Sequence, residues 1–182
     1  MPEIKQAVRF TPQSKDIPET DLVSRSGVRI HVSQAQAGDI DALSAFFSQL
    51  GPDDLRFRFL GTMSEVPRDQ IAAMLDNGAI TFLARNATDG ALIAVATLVE
   101  QHGGTEAEVA LSTLSEWKHR GVSWTLLEHV LNYARAHGYR SVSSLEAAEN
   151  RDAVKLEREM GFVTRLSSAE PVELICSKRL SE

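Results

Sequence analysis

The chain has 182 residues, a net charge of −6 at pH 7 and one cysteine, and 43% of its residues are hydrophobic. This length supports one well-buried core, and an acidic chain without a run of lysines and arginines argues against nucleic-acid binding. The lone Cys176 excludes an intrachain disulfide, the longest apolar run (91–99) is far short of the roughly 20 residues that span a bilayer, and the five histidines lack metal-ligand spacing. We therefore predict a cytoplasmic protein with no metal and no membrane partner.

The first 27 residues are polar, contain three prolines and show no sustained hydrophobic period. This composition predicts a loosely ordered N-terminal extension, 1–27, followed by one domain, 28–182. At the start of that domain, residues 28–33 alternate like a half-buried strand. Residues 38–51 carry apolar side chains at helical spacing, with Asp39 as the expected N-cap and Gly51 as the expected end.

The remaining elements follow from the same patterns of period and turn residues. We predict a helix at 67–78, a hairpin of 79–87 and 91–100 around Asp89-Gly90, a strand at 106–115, a helix from Gly121 to Gly138, a strand at 141–148, a helix at 150–161 and strands at 162–166 and 172–180. Together they predict an α/β (α+β) fold, a mixed, mostly antiparallel central sheet of about six to seven strands flanked by about four helices.

The segment "KHRGVS", residues 118–123, joins a predicted strand to a predicted helix. The first turn of a helix presents N–H groups without intrahelical partners, and these favour a phosphate. Gly121 would let the backbone approach such a ligand closely, and the three preceding basic side chains add positive charge. A junction with one glycine is also a common plain connection, so these residues alone leave both interpretations open.

Three motifs in residues 28–180 resemble the GNAT superfamily of N-acetyltransferases. The loop is similar to the family's pyrophosphate motif Gln/Arg-x-x-Gly-x-Gly/Ala, and "ENRDAVKLEREMGFV" is similar to its Asn-x-x-Ala…Gly-Phe helix. "FFSQLGPDDLRFRFLG" resembles a segment of bacterial protein-lysine acetyltransferases that joins their first two helices. The matching residues of the first two motifs are Lys118, Gly121, Ser123, Asn150, Ala153, Gly161 and Phe162.

This resemblance implies a GNAT fold that binds acetyl-CoA or another acyl-CoA. The implied contacts to the pantetheine arm are the backbone groups of Leu111, Ser112, Thr113 and Leu114, and those to the pyrophosphate are the N–H groups of Lys118, His119, Arg120, Gly121, Val122 and Ser123. Asn150 is implied as a cofactor contact and is also a natural helix cap. Two residues depart from the motif: Lys118 keeps a positive charge but lacks the planar donor fork of an arginine, and the Ser123 hydroxyl could donate to a phosphate. Just beyond the motif, the Trp124 ring could point away or stack near the nucleotide.

Acetyl transfer to an amine needs a base for the amine, and it is helped by a proton donor for the leaving thiolate. Glu108 matches the glutamate of the corresponding strand in protein-lysine acetyltransferases and is the implied base. Glu106 shares its strand face and could substitute for it or raise its pKa. Glu157 stands where many family members have a tyrosine, so we take it as the candidate acid. The alternative for Glu106 and Glu108 is that both are solvated carboxylates on an exposed strand. The alternative for Glu157 is a carboxylate on the helix surface that pairs with Arg158 or Arg151.

In "LRFRFL", residues 55–60, arginines alternate with Phe57 and Phe59. One interpretation is that the aromatic rings fix a loop to the core. The other is that the segment forms a wall of the acceptor site, with an arginine that recognises an acidic patch or the cofactor.

The resemblance implies an enzyme that moves an acetyl group from acetyl-CoA to an amine, with a protein lysine preferred over a small-molecule amine. The alternative is a degenerate GNAT fold that acts as a CoA-binding or protein-interaction module without turnover, suggested by Ser123, Trp124 and the missing tyrosine. A third interpretation is a domain detached from a larger regulated acetyltransferase. The last strands could pair across the interface of a homodimer.

Overall fold

The computed structural model describes residues 16–76, 78–168 and 170–180. In these residues eight strands form one sheet: Thr20–Val23 (β1), Arg29–Gln34 (β2), Ala79–Asn86 (β3), Leu92–Gln101 (β4), Glu106–Thr113 (β5), Ser141–Ala147 (β6), Val163–Leu166 (β7) and Glu173–Arg179 (β8). The α-helices are Ile40–Ser48 (α1), Pro52–Phe59 (α2), Arg68–Ala73 (α3), Val122–Ala136 (α4) and Arg151–Glu159 (α5). The strand order is β1-β2-β3-β4-β5-β6-β8-β7.

The predicted fold class is confirmed, because every pair of neighbouring strands is antiparallel except β5 and β6. The eight strands and five α-helices of the described residues exceed by one each the seven strands and four helices that we predicted. The extra helix is α2: Pro52, expected to follow a helix end, occupies the first turn of the next helix, where proline is well tolerated. The extra strand is β1.

Strand β1 lies inside the segment 1–27 that we predicted to be loosely ordered. Thr20 to Val23 pair with Val32 to Arg29 of β2, so this part of the segment is an edge strand of the sheet. The strand is four residues long and alternates only between half-buried and exposed residues, which explains the missing hydrophobic signal. The rest of the prediction, for residues 1–15, lies outside the described residues.

The start of α1 also differs in detail from the prediction. Asp39 occupies the N-cap position, but its side chain makes no capping hydrogen bond to α1. The carboxylate instead accepts a 2.8 Å hydrogen bond from the N–H of Gln36, at the start of a short 3₁₀ turn that leads into the helix. The aspartate thus stabilises the approach to α1.

The sheet is covered on both faces in its centre. Helix α4 packs on one face, against residues such as Phe82 of β3 and Ala94 of β4. The three short helices α1, α2 and α3 cover the other face, where Leu83 and Val95 lie. Because both faces are buried, β3 and β4 read as nearly continuous apolar runs.

The parallel pair β5–β6 opens a gap in the sheet. Its register includes only Glu106↔Ser141, Ala107↔Val142 and Glu108↔Ser143. Beyond that point β5 continues to pair with β4, and β6 continues to pair with β8. The two strands therefore diverge toward their carboxyl ends, where α4 and α5 begin, and such crevices are common ligand sites in sheets with parallel strands.

None of the described helices combines the length and apolar character needed to cross a bilayer. Within the described ranges, no group of three or more His, Cys, Asp or Glu residues is placed to hold a metal ion.

Candidate active site

A cavity of about 650 Å³ lies in the gap between the diverging strands. Its walls come from the second half of β5, the end of β6, the loop before α4, the face of α5 that looks toward the sheet, and α2. We call this cavity the cleft. It has a loop end, formed by residues 118–124, and a carboxylate end, formed by Arg58, Glu146 and Glu157, with Glu108 close to Arg58 but not in the cavity wall.

The backbone of the loop end is strongly curved. His119 and Gly121 both have positive φ angles, 59° and 75°, and α4 begins at Val122. A positive φ is unfavourable for a residue with a side chain, so His119 is held there by its surroundings. Lys118 lines the cleft and donates a 2.5 Å hydrogen bond to the Asp54 carboxylate of α2.

The turn between β1 and β2 braces this loop. The hydroxyl groups of Ser24 and Ser26 both donate to the Arg120 carbonyl oxygen, at 2.8 and 2.6 Å. A Cβ atom on Gly121 would lie 3.2 Å from the Arg25 backbone nitrogen. Glycine is therefore required at position 121 by packing against the turn as well as by its positive φ.

The two unusual residues of the loop take definite positions. The Ser123 hydroxyl lies 2.8 Å from the Thr113 hydroxyl, so it ties the first turn of α4 to the end of β5. The Trp124 ring lies beneath the Arg25 guanidinium, 3.9 Å from its carbon, and both side chains line the cleft. The cavity remains open beside the indole.

Most of the residues predicted to bind the cofactor lie around the cleft. Those that line it are Leu111, Ser112, Thr113, Lys118, His119, Gly121, Ser123 and Asn150. Three others do not. Leu114 is buried among α1 to α3, Val122 is buried in the core at the first turn of α4, and Arg120 directs its guanidinium over the Trp117 ring.

Glu108, the predicted base, lies at the point where β5 and β6 separate, opposite Ser143. It is half-buried and is not among the residues that line the cavity itself. Burial raises the pKa of Glu108, the charge of Arg58 lowers it and the charge of Glu173 raises it further. Glu106 is exposed instead, and its carboxylate lies 3.4 Å from His102.

Arg58 comes from α2 and faces the carboxylates. Burial lowers the pKa of Arg58 to about 10, while the charges of Glu108 and Glu146 act in the opposite direction. Because the segment is a helix and not an extended loop, Phe57 and Arg58 both line the cleft, and Phe59 packs edge-on against Phe47. The packing of Phe59 agrees with the first interpretation, whereas the second, a wall of the acceptor site, stays a prediction for Phe57 and Arg58.

Glu157, the predicted acid, is 5% exposed and lines the cleft. It accepts a 2.6 Å hydrogen bond from the Ser144 hydroxyl and does not form the surface pair with Arg151 or Arg158 that was its alternative. Beside it lies Glu146, at the end of β6. Asn150 donates from its side-chain amide to Glu146, at 2.9 Å, and makes no cap bond to α5.

Sequence reasoning missed Glu146 and Arg25. A signal for Glu146 was present, because it follows the buried Val142 and Ser144 at every second position of β6 and shares their face. Nothing local pointed to Arg25, whose place beside the loop depends on a turn that is distant in sequence.

The comparison with protein families assigns the chain to a known family. The model of the acetyltransferase (GNAT) family matches residues 47–162, well over half of the chain. The chain belongs to the GNAT family of acetyltransferases. The matched range includes β5, the loop, α4, β6 and α5, which together form most of the cleft.

Known GNAT proteins agree with this assignment. A Pseudomonas aeruginosa acetyltransferase is 24% identical over 135 residues, which cover 71% of this chain and 73% of the relative. The GNAT domain of S. lividans PAT superposes with a TM-score of 0.82 at 22% identity and covers 89% of this chain and 97% of that domain. Spermidine N-acetyltransferase from Vibrio cholerae, solved with CoA and spermine, has a TM-score of 0.67 at 18% identity, with coverage of 82% and 95%. These structural likenesses confirm the predicted GNAT fold.

Proposed function

We propose that this GNAT protein transfers an acetyl group from acetyl-CoA, or another acyl group from its CoA thioester, to an amine. A protein lysine is the preferred acceptor over a small-molecule amine. The observation that carries the proposal is the cleft itself, which has a curved loop and a helix N-terminus at one end and partly buried carboxyl groups at the other.

The residues of the cleft fit a CoA thioester. From Val109 to Thr113 the described sheet has no ladder partner for β5 on the β6 side, so backbone groups of this edge face the cleft. The Ser112 hydroxyl is buried there without a hydrogen-bond partner in the described part of the chain. We infer that Leu111 to Leu114 pair with the pantetheine arm through their backbone.

The loop end suits a diphosphate. The first N–H groups of α4 have no intrahelical acceptors, and the helix dipole adds partial positive charge. Lys118 contributes a full positive charge at the wall. We assign the pyrophosphate to the backbone of residues 118–123, with Arg120 and Val122 contributing backbone groups only. Asn150 contacts the cofactor from the opposite wall.

The bound thioester would supply an electrophilic carbonyl carbon, and the chain supplies the proton chemistry. An acceptor ammonium must lose a proton before it can attack, since the reference pKa of a lysine is about 10.4. Glu108 takes this proton. Its raised pKa makes it a better base than an ordinary glutamate and leaves it ionised once the pH exceeds that pKa. We assign the role of acid to Glu157.

The preference for a protein lysine is supported by two observations. The sequence resembles protein-lysine acetyltransferases in α2 and β5, and the TM-score to the GNAT domain of S. lividans PAT exceeds that to the spermidine enzyme.

The test combines binding and turnover. Calorimetry with CoA and acetyl-CoA should show micromolar or tighter binding, and acetyl transfer to a panel of lysine-containing proteins should exceed transfer to spermidine and other small amines. Mass spectrometry detects acetylated lysines directly. Binding without transfer to any acceptor would contradict the proposal and favour a CoA-binding module. Absence of binding would contradict the assignment of the cleft.

A further inference from the structure

Two glutamates from different elements meet at the carboxylate end of the cleft. Glu157, 5% exposed, uses Oε1 to accept from Ser144, while its Oε2 is buried without a hydrogen-bond partner among the described residues. Glu146 accepts from Asn150 and also lines the cleft. An acceptor-only carboxylate with an unpartnered buried oxygen is costly, and protonation removes the charge that makes it so.

The surrounding charges do not neutralise both carboxylates. The guanidinium that acts on Glu146 is that of Arg58, and Glu108 shares it. The other polar groups that face the pair are the Ser144 hydroxyl, the Asn150 amide and the Cys176 thiol of β8. Glu108 and Glu146 thus share one arginine, Glu157 lies beside Glu146, and a buried pair of like charges favours retention of a proton.

The titration behaviour agrees with this geometry. Burial and the charge of Glu157 raise the pKa of Glu146 to about 8. Burial also raises the pKa of Glu157, although the hydrogen bond from Ser144 opposes the rise. Burial raises the pKa of the Cys176 thiol to about 11, so it stays a neutral neighbour.

We propose that Glu146 and Glu157 hold one proton between them at neutral pH and deliver it to the thiolate that leaves during acetyl transfer. This inference rests on the proposed function. The acceptor nitrogen forms a bond to the thioester carbonyl carbon, the carbon–sulfur bond breaks, and the sulfur takes the proton of the pair. Glu108 holds the first proton lost by the ammonium and releases it to solvent. The nitrogen loses its second proton as the tetrahedral intermediate collapses, and that proton returns to the pair through water. The net products are the amide, the free thiol and one proton.

The shared proton can be detected without ligand. Infrared spectra of the wild-type protein at pH 7 should show the carbonyl stretch of a protonated carboxylic acid, and this band should weaken in Glu146→Gln and in Glu157→Gln. Glu128→Gln, on the exposed face of α4, is the matched control and should leave the band unchanged. A wild-type spectrum without the band at pH 7 would overturn the inference whatever the activity.

Stability against pH gives a second readout. The folded protein binds a proton at Glu146 more tightly than the unfolded chain does, so its stability falls as pH rises from about 4.5 toward about 8. In Glu146→Gln this part of the slope disappears, and the variant should gain stability relative to the wild type across that window. Urea unfolding at several pH values measures the difference. Parallel curves for the two proteins would count against the shared proton.

Kinetics test the delivery step. Glu146→Gln and Glu157→Gln should each lower kcat for acetyl transfer by about 10²-fold and remove the alkaline limb of the wild-type profile, with CoA affinity retained. If Glu146→Gln or Glu157→Gln loses the infrared band of the carboxylic acid but keeps the wild-type kcat, the donor role is refuted. The proposed function would not be affected by that result. If the wild-type protein shows the band but acetylates no amine, the proposed function and the donor role both fail.

Discussion

The two ends of the cleft are built in different ways. The loop end consists of consecutive residues, 118–124, and relies on backbone N–H groups, a helix N-terminus and one glycine. The carboxylate end collects single side chains from α2, β5, β6 and α5. The first kind of site is encoded in one short motif, whereas the second exists only after the chain has folded. Substitutions at the two ends should therefore separate binding from chemistry.

The largest effect is expected at the carboxylate end. Glu108→Gln should lower kcat/KM for the amine about 10³-fold, because the variant cannot accept the ammonium proton. CoA binding, measured by calorimetry, should stay within twofold of the wild type. In the wild type, kcat/KM should fall on the acid side with a pKa above the usual range of a glutamate, since burial raises the pKa of Glu108.

The matched control is Glu106→Gln on the same strand, which removes an exposed carboxylate. Equal losses in both variants would show that the base assignment is wrong. Loss of CoA affinity in Glu108→Gln would show that substitutions at the two ends of the cleft do not separate cofactor binding from chemistry.

At the loop end, Gly121→Ala should weaken CoA binding at least about 10-fold, because its methyl group would meet the turn between β1 and β2 and shift the loop. Gly90→Ala introduces similar backbone strain, at φ 73°, but its Cβ has no atom within 4 Å. Both variants should lose stability, and only Gly121→Ala should lose affinity. Calorimetry and thermal unfolding distinguish these effects. Equal CoA affinity in the two variants would contradict the role of the loop.

A smaller effect is expected from Arg58→Gln. Its positive charge lowers the pKa of Glu108, so its removal should raise that pKa and move the acid limb of kcat/KM to higher pH. Activity should fall more at pH 6 than at pH 9. Arg56→Gln, two residues earlier on α2, is the control, since Arg56 lies 3.8 Å from Asp53 and 4.0 Å from Glu149 and does not shift the pKa of Glu108. An unchanged acid limb in Arg58→Gln would remove Arg58 from the proton chemistry.

The smallest effect is expected from Arg25→Ala, which should weaken CoA binding by a few fold. The variant removes one positive charge and the cover of the Trp124 ring without touching the backbone of the loop. Arg29→Ala, an exposed arginine of β2, should not change the affinity at low salt. If both variants weaken binding equally, the effect is that of net charge alone.

The difference between the two ends also explains what could be predicted from the sequence. The order of helices and strands depends on local period and spacing, and these are visible in the chain. The loop motif and Glu108 were singled out by their resemblance to the family. Helix α2 was missed because Gly51-Pro52 signals both the end of one helix and the start of another. The partnership of Glu146 and Glu157 depends on packing between α5 and β6 and has no local pattern. The support of Gly121 by Ser24 and Arg25 joins segments about one hundred residues apart.

The contact between Lys118 and Asp54 has a consequence for how acceptor and cofactor influence one another. Asp54 and Arg58 lie about one turn apart on α2, so this short helix contacts Lys118 at the loop end and places a positive charge near Glu108, the proposed base. An acceptor large enough to displace α2 would weaken the hydrogen bond between Asp54 and Lys118. For the proposed function, we expect binding of a protein acceptor and retention of the cofactor to be coupled through this helical turn.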